Sequence, residues 1–566
     1  MSIIEKLTEG VVRRDVQKEG AAILDKWEKT GLLEGIGNDH TRSNMAALLE
    51  NQAKELLREA STMAAGDVEG FAAVAFPIVR RVFGGLIANE LVSVQPMSLP
   101  SGLIFFLDFV IEPDSGAESL NLGGYAGNES VYGGGKVASQ ITGGVSLDGA
   151  NAEKSFYALN NGYASPVTSA VGITTPALLL AGQVGTGSYE LDSAVQFDPD
   201  LSGSNVVVGR ILVSELTSNQ FNFDDFVTVT LSEDAAGDAG LTAGRQVRRL
   251  TRLSGTAQTH ALVVIQATGS ETVGDLTASL AGIDQAAFAI TDDFTNGALG
   301  GVVGTTAWGL EDQTAIPEID IKVDAVSVTA ITKKLKAKWT PELQQDINAY
   351  HNLDAEVELT SLLSEQIALE IDQEILEDLV KGATAGTYYW SRKPGKFVNR
   401  TTGKSINGSL FPDFTGTVSE WYETLLETVN DVSAQIHRKT LRGGANFLVC
   451  GPEVANVLEF TSGFRADTTA DETRGSAGAV RVGQLSKKWD IYVDPYFVRN
   501  VILVGRKGNS FLESGYVYAP YVPLQVTPTI FGPEDFVPRK GVMTRYGKKM
   551  VRPDMYGLVI VEDLLG

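Results

Sequence analysis

Between Asp354 and Lys381 an apolar residue falls on every fourth position, at Leu359, Leu363, Ile367, Ile371, Ile375 and Leu379, with Leu362, Leu369 and Leu376 added every seven. Repeats of four and of seven lie close to one and two turns of a 3.6-residue helix, so the spacing reads as the side of a helix. At about 1.5 Å per residue the segment makes a rod of about 42 Å. A row spaced by four drifts about 40° per step on a 3.6-residue helix, so the stripe winds round the rod and must meet neighbours on more than one side. The expectation is a spine on which other elements hang, packed through Leu359, Leu363, Ile367, Ile371 and Ile375. The same segment carries Glu356, Glu358, Glu365, Glu370, Asp372, Glu374, Glu377 and Asp378. With no aromatic platform or convergent loop nearby in sequence, these carboxylates read as a solvated acidic face rather than acid/base machinery.

What flanks the rod is mixed. Residues 1–62 alternate charge with apolar positions at helical spacing (Ala21, Ile23, Leu24, Trp27; then Leu48, Leu49, Leu56, Leu57), which predicts two or three amphipathic helices. A more apolar helical stretch, Phe71 to Val94, runs into Pro96, and Leu103–Val110 then reads as a strand between Gly102 and Pro113. Strands return at Ile319–Val323 and Val326–Val328, and Thr340-Pro341 opens a helix with a capping hydroxyl before a first-turn proline. From 415 to 505 helices (421–436, 452–460) alternate with strands (446–450, 491–493), and the last sixty residues read as β. Between 119 and 311 lie 28 of the chain's 60 glycines and only two of its lysines, so this third reads as a separate domain of short strands and tight turns. Within it Asn205–Val208 and Phe226–Leu231 read as strands and Ala235–Gly240 as a turn.

Several functions are excluded by composition. Lys plus Arg total 46 against 70 for Asp plus Glu, a net charge of −24, which repels nucleic acid. The single cysteine, Cys450, forms no intrachain disulfide and no thiolate zinc site; it reads as buried packing within an apolar strand. No apolar run approaches the roughly 18 residues of a membrane span, and Glu5, Lys6 and Glu9 interrupt any signal peptide, so a soluble protein without membrane association is expected. The run Gly123 to Lys136 lacks the glycine and the Ser/Thr of a phosphate loop. Asp198–Gly203 begins like a calcium loop but has Gly209 in the twelfth place, and reads as a plain turn. His40, His260, His351 and His437 are scattered, His351 reading as a helix-end residue. No catalytic, cofactor or metal site is expected, which leaves a structural or interaction role.

Four stretches carry more. Pro77-Ile78-Val79-Arg80-Arg81 with Val94-Gln95-Pro96-Met97 and Pro100-Ser101-Gly102; Leu335-Lys336-Ala337 with Glu342 to Asp346 and Asp354 to Ile371; Asn446 to Val449 with Asn456-Val457-Leu458; and Tyr518 to Tyr521 with Thr544 to Gly547 together resemble, in order, the major capsid proteins of T-even-like tailed bacteriophages. The resemblance covers about 60–115 and 318–550. It implies an α+β chain of the Hong Kong 97 capsid fold with a long spine helix, an inserted all-β domain and an N-terminal helical segment. The divisions it implies are 1–59, an N-terminal helical assembly segment; 60–118, the N-arm and first extended-loop strand; 119–311, the insertion; 312–414, the peripheral domain with spine helix 354–381; 415–505, the axial domain; and 506–566, the C-terminal β part.

The implied role is self-assembly into an icosahedral head shell. Its partners would be further copies of the chain in hexamers, with pentamers or a vertex paralogue, and scaffold, portal and decoration proteins. Packaged DNA would be enclosed but not bound specifically. The place would be the virion, after assembly in the host cytoplasm. The family also implies a prohead protease cutting after a Glu preceded two places earlier by Leu or Ile; Leu57-Arg58-Glu59 followed by Ala60 fits, making Glu59–Ala60 the candidate bond. Two alternatives stay open on the sequence: a surface-layer or adhesin-like array protein, and an enzyme with a β-rich substrate domain.

Overall fold

The structure, a computed structural model, describes residues 16–36, 39–60, 76, 79–80, 86–112, 130–132, 168–216, 221, 226–233, 241, 243–254, 259–289, 318–351, 353–406, 414–467, 479–509 and 513–564. The glycine run 123–136 (apart from 130–132), the 235–240 turn and most of 61–85 lie outside the described residues. The chain divides into two compact units. One comprises Met1–Asp108, Tyr132–Val145 and Lys322–Gly566; the other Phe109–Val131 and Ser146–Ile321.

In the first unit the amphipathic N-terminal segment forms helices α1 (Val16–Glu28) and α2 (Asp39–Ala60). Of the expected helical stretch before Pro96, the described end is a single turn, Ala88–Leu91, followed by an extended pair, β1 (Ser93–Val94). The helix ends earlier than the pre-proline bias on Gln95 alone requires, because Ser93 and Val94 pair with Val517 and Tyr518 in a sheet. The strands β2 (Ser101–Ile111) and β3 (Ile319–Thr329), whose ends 109–111 and 319–321 belong to the second unit, pair as a two-stranded ribbon. Strand β4 (Ile331–Lys338), a helix Pro341–His351 that Thr340 caps through Leu343 N, and the spine α3 (Ala355–Gly382) follow. Near the C-terminus a long hairpin is built from β5 (Tyr516–Val526) and β6 (Pro538–Met550).

One sheet runs β1-β5-β6-β4, with β1 parallel to β5 and the rest antiparallel; Ile530–Phe531 pairs with β6 off this path. Pro520 is tolerated inside β5 because the register slips beside it, between Pro520 and Val522. A seven-stranded sheet takes, in spatial order, 387–391, 556–562, 501–505, 447–450, 489–493, 480–485 and 464–466. Segments far apart in sequence therefore share both sheets. In the 447–450 strand, alternate side chains serve two cores. Leu448 and Cys450 pack with Trp421, Leu425, Val429 and Ile436 of helix Val418–Thr440, whereas Phe447 and Val449 join the core that contains the spine.

The second unit has its own core. A five-stranded sheet orders 177–183, 205–212, 260–267 and 244–246, with 252–254 also on 260–267; a three-stranded one orders 168–172, 285–289 and 230–232. This third of the chain is not all-β, as the glycine and threonine content suggested. Helix Val273–Gly282, started by a reciprocal Thr272–Asp275 capping box, packs Leu276 and Leu280 on Val207, Ile211, Val263 and Ile265. The Phe226–Leu231 run likewise begins as a 3-10 turn, Phe226–Thr228, before the strand at Thr230. At the calcium-like turn, Asp198 accepts from Asp200 N, and the carboxylates of both are paired with Arg249.

Candidate functional site

Asp354 caps the spine by accepting from Glu356 N at 3.0 Å. From Ile367 onward the expected row is buried: Ile367, Ile371, Ile375 and Leu379, with Leu376 beside it. Toward the N-terminus it is not. Leu359 and Leu363 are only half-buried and Leu362 is 62% exposed, while the buried positions are Ala355, Thr360 and Ser364. The hydroxyls of Thr360 and Ser364 return to the carbonyls of Glu356 and Thr360, so small polar residues can face inward there. This is the winding of a four-spaced row made visible: its first two members have rotated off the packed side.

The carboxylates overturn the expectation of a solvated face. Glu356 accepts from Lys540 Nζ at 2.6 Å and Thr529 Oγ1 at 2.8 Å. Lys333 of β4 lies 2.9 Å from Glu374 and 3.7 Å from Glu370. Lys548 of β6 lies 2.7 Å from Glu374 and 2.6 Å from Asp378, which also accepts from Tyr516 Oη at 2.8 Å; Tyr546 Oη donates to Glu374. Burial would raise the Glu374 carboxyl, but hydrogen bonds from Lys548, Tyr546 and Lys333 outweigh it and hold the group down at about 2. The spine is thus clamped to β4–β6 by a ladder of acids against lysines and phenols. Glu370, Glu374 and Asp378 each stand three residues after a buried isoleucine, on the flank of the apolar stripe. Glu358 and Glu377 stay exposed as expected, Glu377 in an i,i+4 pair with Lys381.

Asp372 differs from its neighbours. It is pushed up to about 7 by burial, with Asp494 adding repulsion, against partial relief from the backbone N–H groups of Ile87 and Ala88. Cys450 is fully buried and its thiol is pushed up to about 12 by that burial, chiefly, so it packs rather than reacts.

Two further features face outward or lie at a terminus. Hydrogen bonds Ala330 N to Pro100 O and Glu112 N to Glu318 O, at the two ends of the β2–β3 ribbon, fix it antiparallel with Leu107 opposite Val323. Leu103, Phe105, Leu107 and Val323 are 58%, 69%, 60% and 61% exposed. Glu59 and Ala60 occupy the last two positions of α2. The segment they would release is no loose appendage: Trp27, Leu33, Met45, Ala46 and Leu49 lie in the same core as Ile371 and Tyr518. Asn44 donates to Val94 O, Asn51 to Met97 O and Tyr521 O, and Gln52 accepts from Leu524 N.

What the described residues build is a spine braced by ion pairs and phenols and a ribbon with an exposed apolar row. The model of the major capsid protein Gp23 family matches residues 68–205 and 218–563. The major capsid protein of Enterobacteria phage T4 is 25% identical over 582 aligned residues, spanning 94% of this chain and 91% of that protein. The one from Enterobacteria phage T6 is 30% identical over 246 residues, 41% of this chain and 46% of its own length. Among solved structures, the capsid of Myoviridae phage XM1 aligns with 44% of this chain and 79% of that one at 11% identity and a TM-score of 0.27, a likeness too slight to argue from. Matched along most of its length, this chain belongs to the Gp23 family of major capsid proteins.

Proposed function

We propose that copies of this chain close into the icosahedral shell of a tailed-phage head, as hexamers with pentamers or a vertex paralogue, in the manner of the Hong Kong 97 fold. The observation that carries the reading beyond family membership is the ribbon. Leu103, Phe105 and Leu107 at alternate positions of β2, with Val323 opposite on β3, stand more than half in water as one contiguous row, and such patches mark contact surfaces. In a closed shell every subunit both gives and receives such a ribbon, which satisfies all copies at once. Residues 119–311 are read as an insertion in the extended loop, and the segments 60–118, 312–414, 415–505 and 506–566 as N-arm, peripheral, axial and C-terminal parts. Scaffold, portal and decoration proteins, and a prohead protease acting at Glu59–Ala60, complete the reading. Assembly takes place in the host cytoplasm and the product is the virion. The net charge of −24 suits a wall that encloses DNA without gripping it.

The test is electron microscopy of the chain co-expressed with its scaffold and portal. Wild-type protein should give closed shells, and Phe105→Asp with Leu107→Asp should give soluble subunits of unchanged unfolding midpoint and no shells. Shells from the double variant would remove the ribbon from the account, and monomers alone from wild type would remove the assembly.

A further inference from the structure

Asp372 sits on the spine beside the core that holds Ile371 and Ile375, half-buried as a residue but with its carboxylate turned away from water. One oxygen accepts from Ile87 N at 3.3 Å, at the start of the turn Ala88–Leu91. The other, Oδ1, is buried with no hydrogen-bond partner among the described residues. A carboxylate half satisfied in an apolar surround is costly when charged and much less so when protonated.

The groups around it do not supply the missing partner. From the loop after the 489–493 strand, Asp494 faces it as a second acid, itself raised by burial and accepting from Tyr496 N. From β5 comes Tyr518, whose buried hydroxyl is also without a partner. On the spine, Glu374 is committed to Lys333, Lys548 and Tyr546. On the one-turn helix, Glu90 is engaged with Tyr492, and Lys507 donates to Asn89 O. No cation among the described residues offsets the Asp372 charge.

We propose that Asp372 is a proton-operated latch between the spine and segment 86–92: protonated, it holds the Ile87–Ala88 turn against the helix, and on losing its proton it favours a state in which the carboxylate reaches water and the turn lifts away. The sign follows from linkage. Closed, the group titrates near 7; open, it returns toward the ordinary 3.8. Opening therefore releases a proton, so it becomes easier as pH rises from about 4 to about 7 and levels off above that. With those two values the opening constant can rise by up to about a hundredfold between pH 5 and pH 8. The same segment leads through β1 into the β2 ribbon, so the latch would govern how freely the chain before that ribbon moves.

Amide hydrogen exchange on the full-length, unassembled chain tests this, because it does not depend on shells forming. Rates for a peptide spanning 86–92 are divided by the intrinsic rates at each pH from 5 to 8.5, with the 447–450 strand as internal control. The expected result is an opening constant that climbs about tenfold or more between pH 5 and 8 and then flattens, while the control stays level and Asp372→Asn is flat throughout. A wild-type profile constant within about twofold overturns the latch, as does a control that moves in parallel with 86–92. The same pH dependence in Asp372→Asn overturns it too. If that variant does not fold, the wild-type profile and its control decide the matter alone.

Discussion

Ile371 lies fully buried at the middle of the spine, packed in the core that joins α2, the spine and β5–β6. Truncating it to alanine removes three carbons, worth about 2.5 kcal/mol in transfer at about 0.8 each, and leaves a cavity that a spine fixed by ion pairs on its flank cannot close. The expected loss is about 3–4 kcal/mol. Leu362, on the same helix but 62% exposed, should cost less than about 0.5 kcal/mol as alanine, and half-buried Leu363 about 1–2. Guanidinium denaturation followed by tryptophan emission and far-ultraviolet dichroism gives the midpoints. The ranking Ile371 > Leu363 > Leu362 is the result to look for. Equal shifts for Ile371→Ala and Leu362→Ala would refute the argument, since they would mean that the winding of the row does not decide which members are packed.

Other outcomes follow from the clamp and the core. Lys548→Met leaves Glu374 and Asp378 short of their shared cation and should destabilise by roughly 1–3 kcal/mol, read from the same denaturation curves. Glu374 is held below its ordinary value, so its contribution is fully present above about pH 4.5 and is lost as pH falls from there toward 2; Glu374→Gln should flatten that part of the stability–pH curve, and an unchanged acid limb would count against the clamp. Cys450 should resist a maleimide in the native chain at neutral pH and label fully once unfolded, by mass spectrometry.

The elements legible in the sequence are those whose signal is local. The 28-residue spine, the Thr340-Pro341 helix start, the Phe447–Cys450 strand and the β2 strand all stand where periodicity and capping residues put them. Helix Val273–Gly282 was missed because it is short, carries Gly274 and Gly282, and sits in a Gly/Thr background that reads as turns; its one local signal, Thr272 with Asp275 three residues on, was there to be found. The clamp was missed for a different reason. Glu374 and its partners Lys333, Lys548 and Tyr546 are 41 or more positions apart, and only the hairpin β5–β6, folded back beside β4, brings them within reach. A run of acids on a helix is a solvated face unless something distant covers it, and distance in sequence hides the cover.

The same logic bears on the first sixty residues. Their charge and helical spacing describe α1 and α2 well, but nothing local says that Asn44, Asn51 and Gln52 would turn inward to satisfy the backbone of Val94, Met97, Tyr521 and Leu524. Gln52 answers a buried N–H of Leu524, worth about 1–3 kcal/mol, and the other three bonds answer part-buried carbonyls at less. If the Glu59–Ala60 bond is cut and the segment leaves, those four backbone groups and the side chains that packed on Trp27, Met45 and Leu49 must find water or a new partner. Processing at that bond would therefore be a change in the core of the subunit as much as the loss of a tail, and the free energy stored in α1 and α2 makes release unfavourable until the rest of the chain, or a neighbouring copy, can take their place.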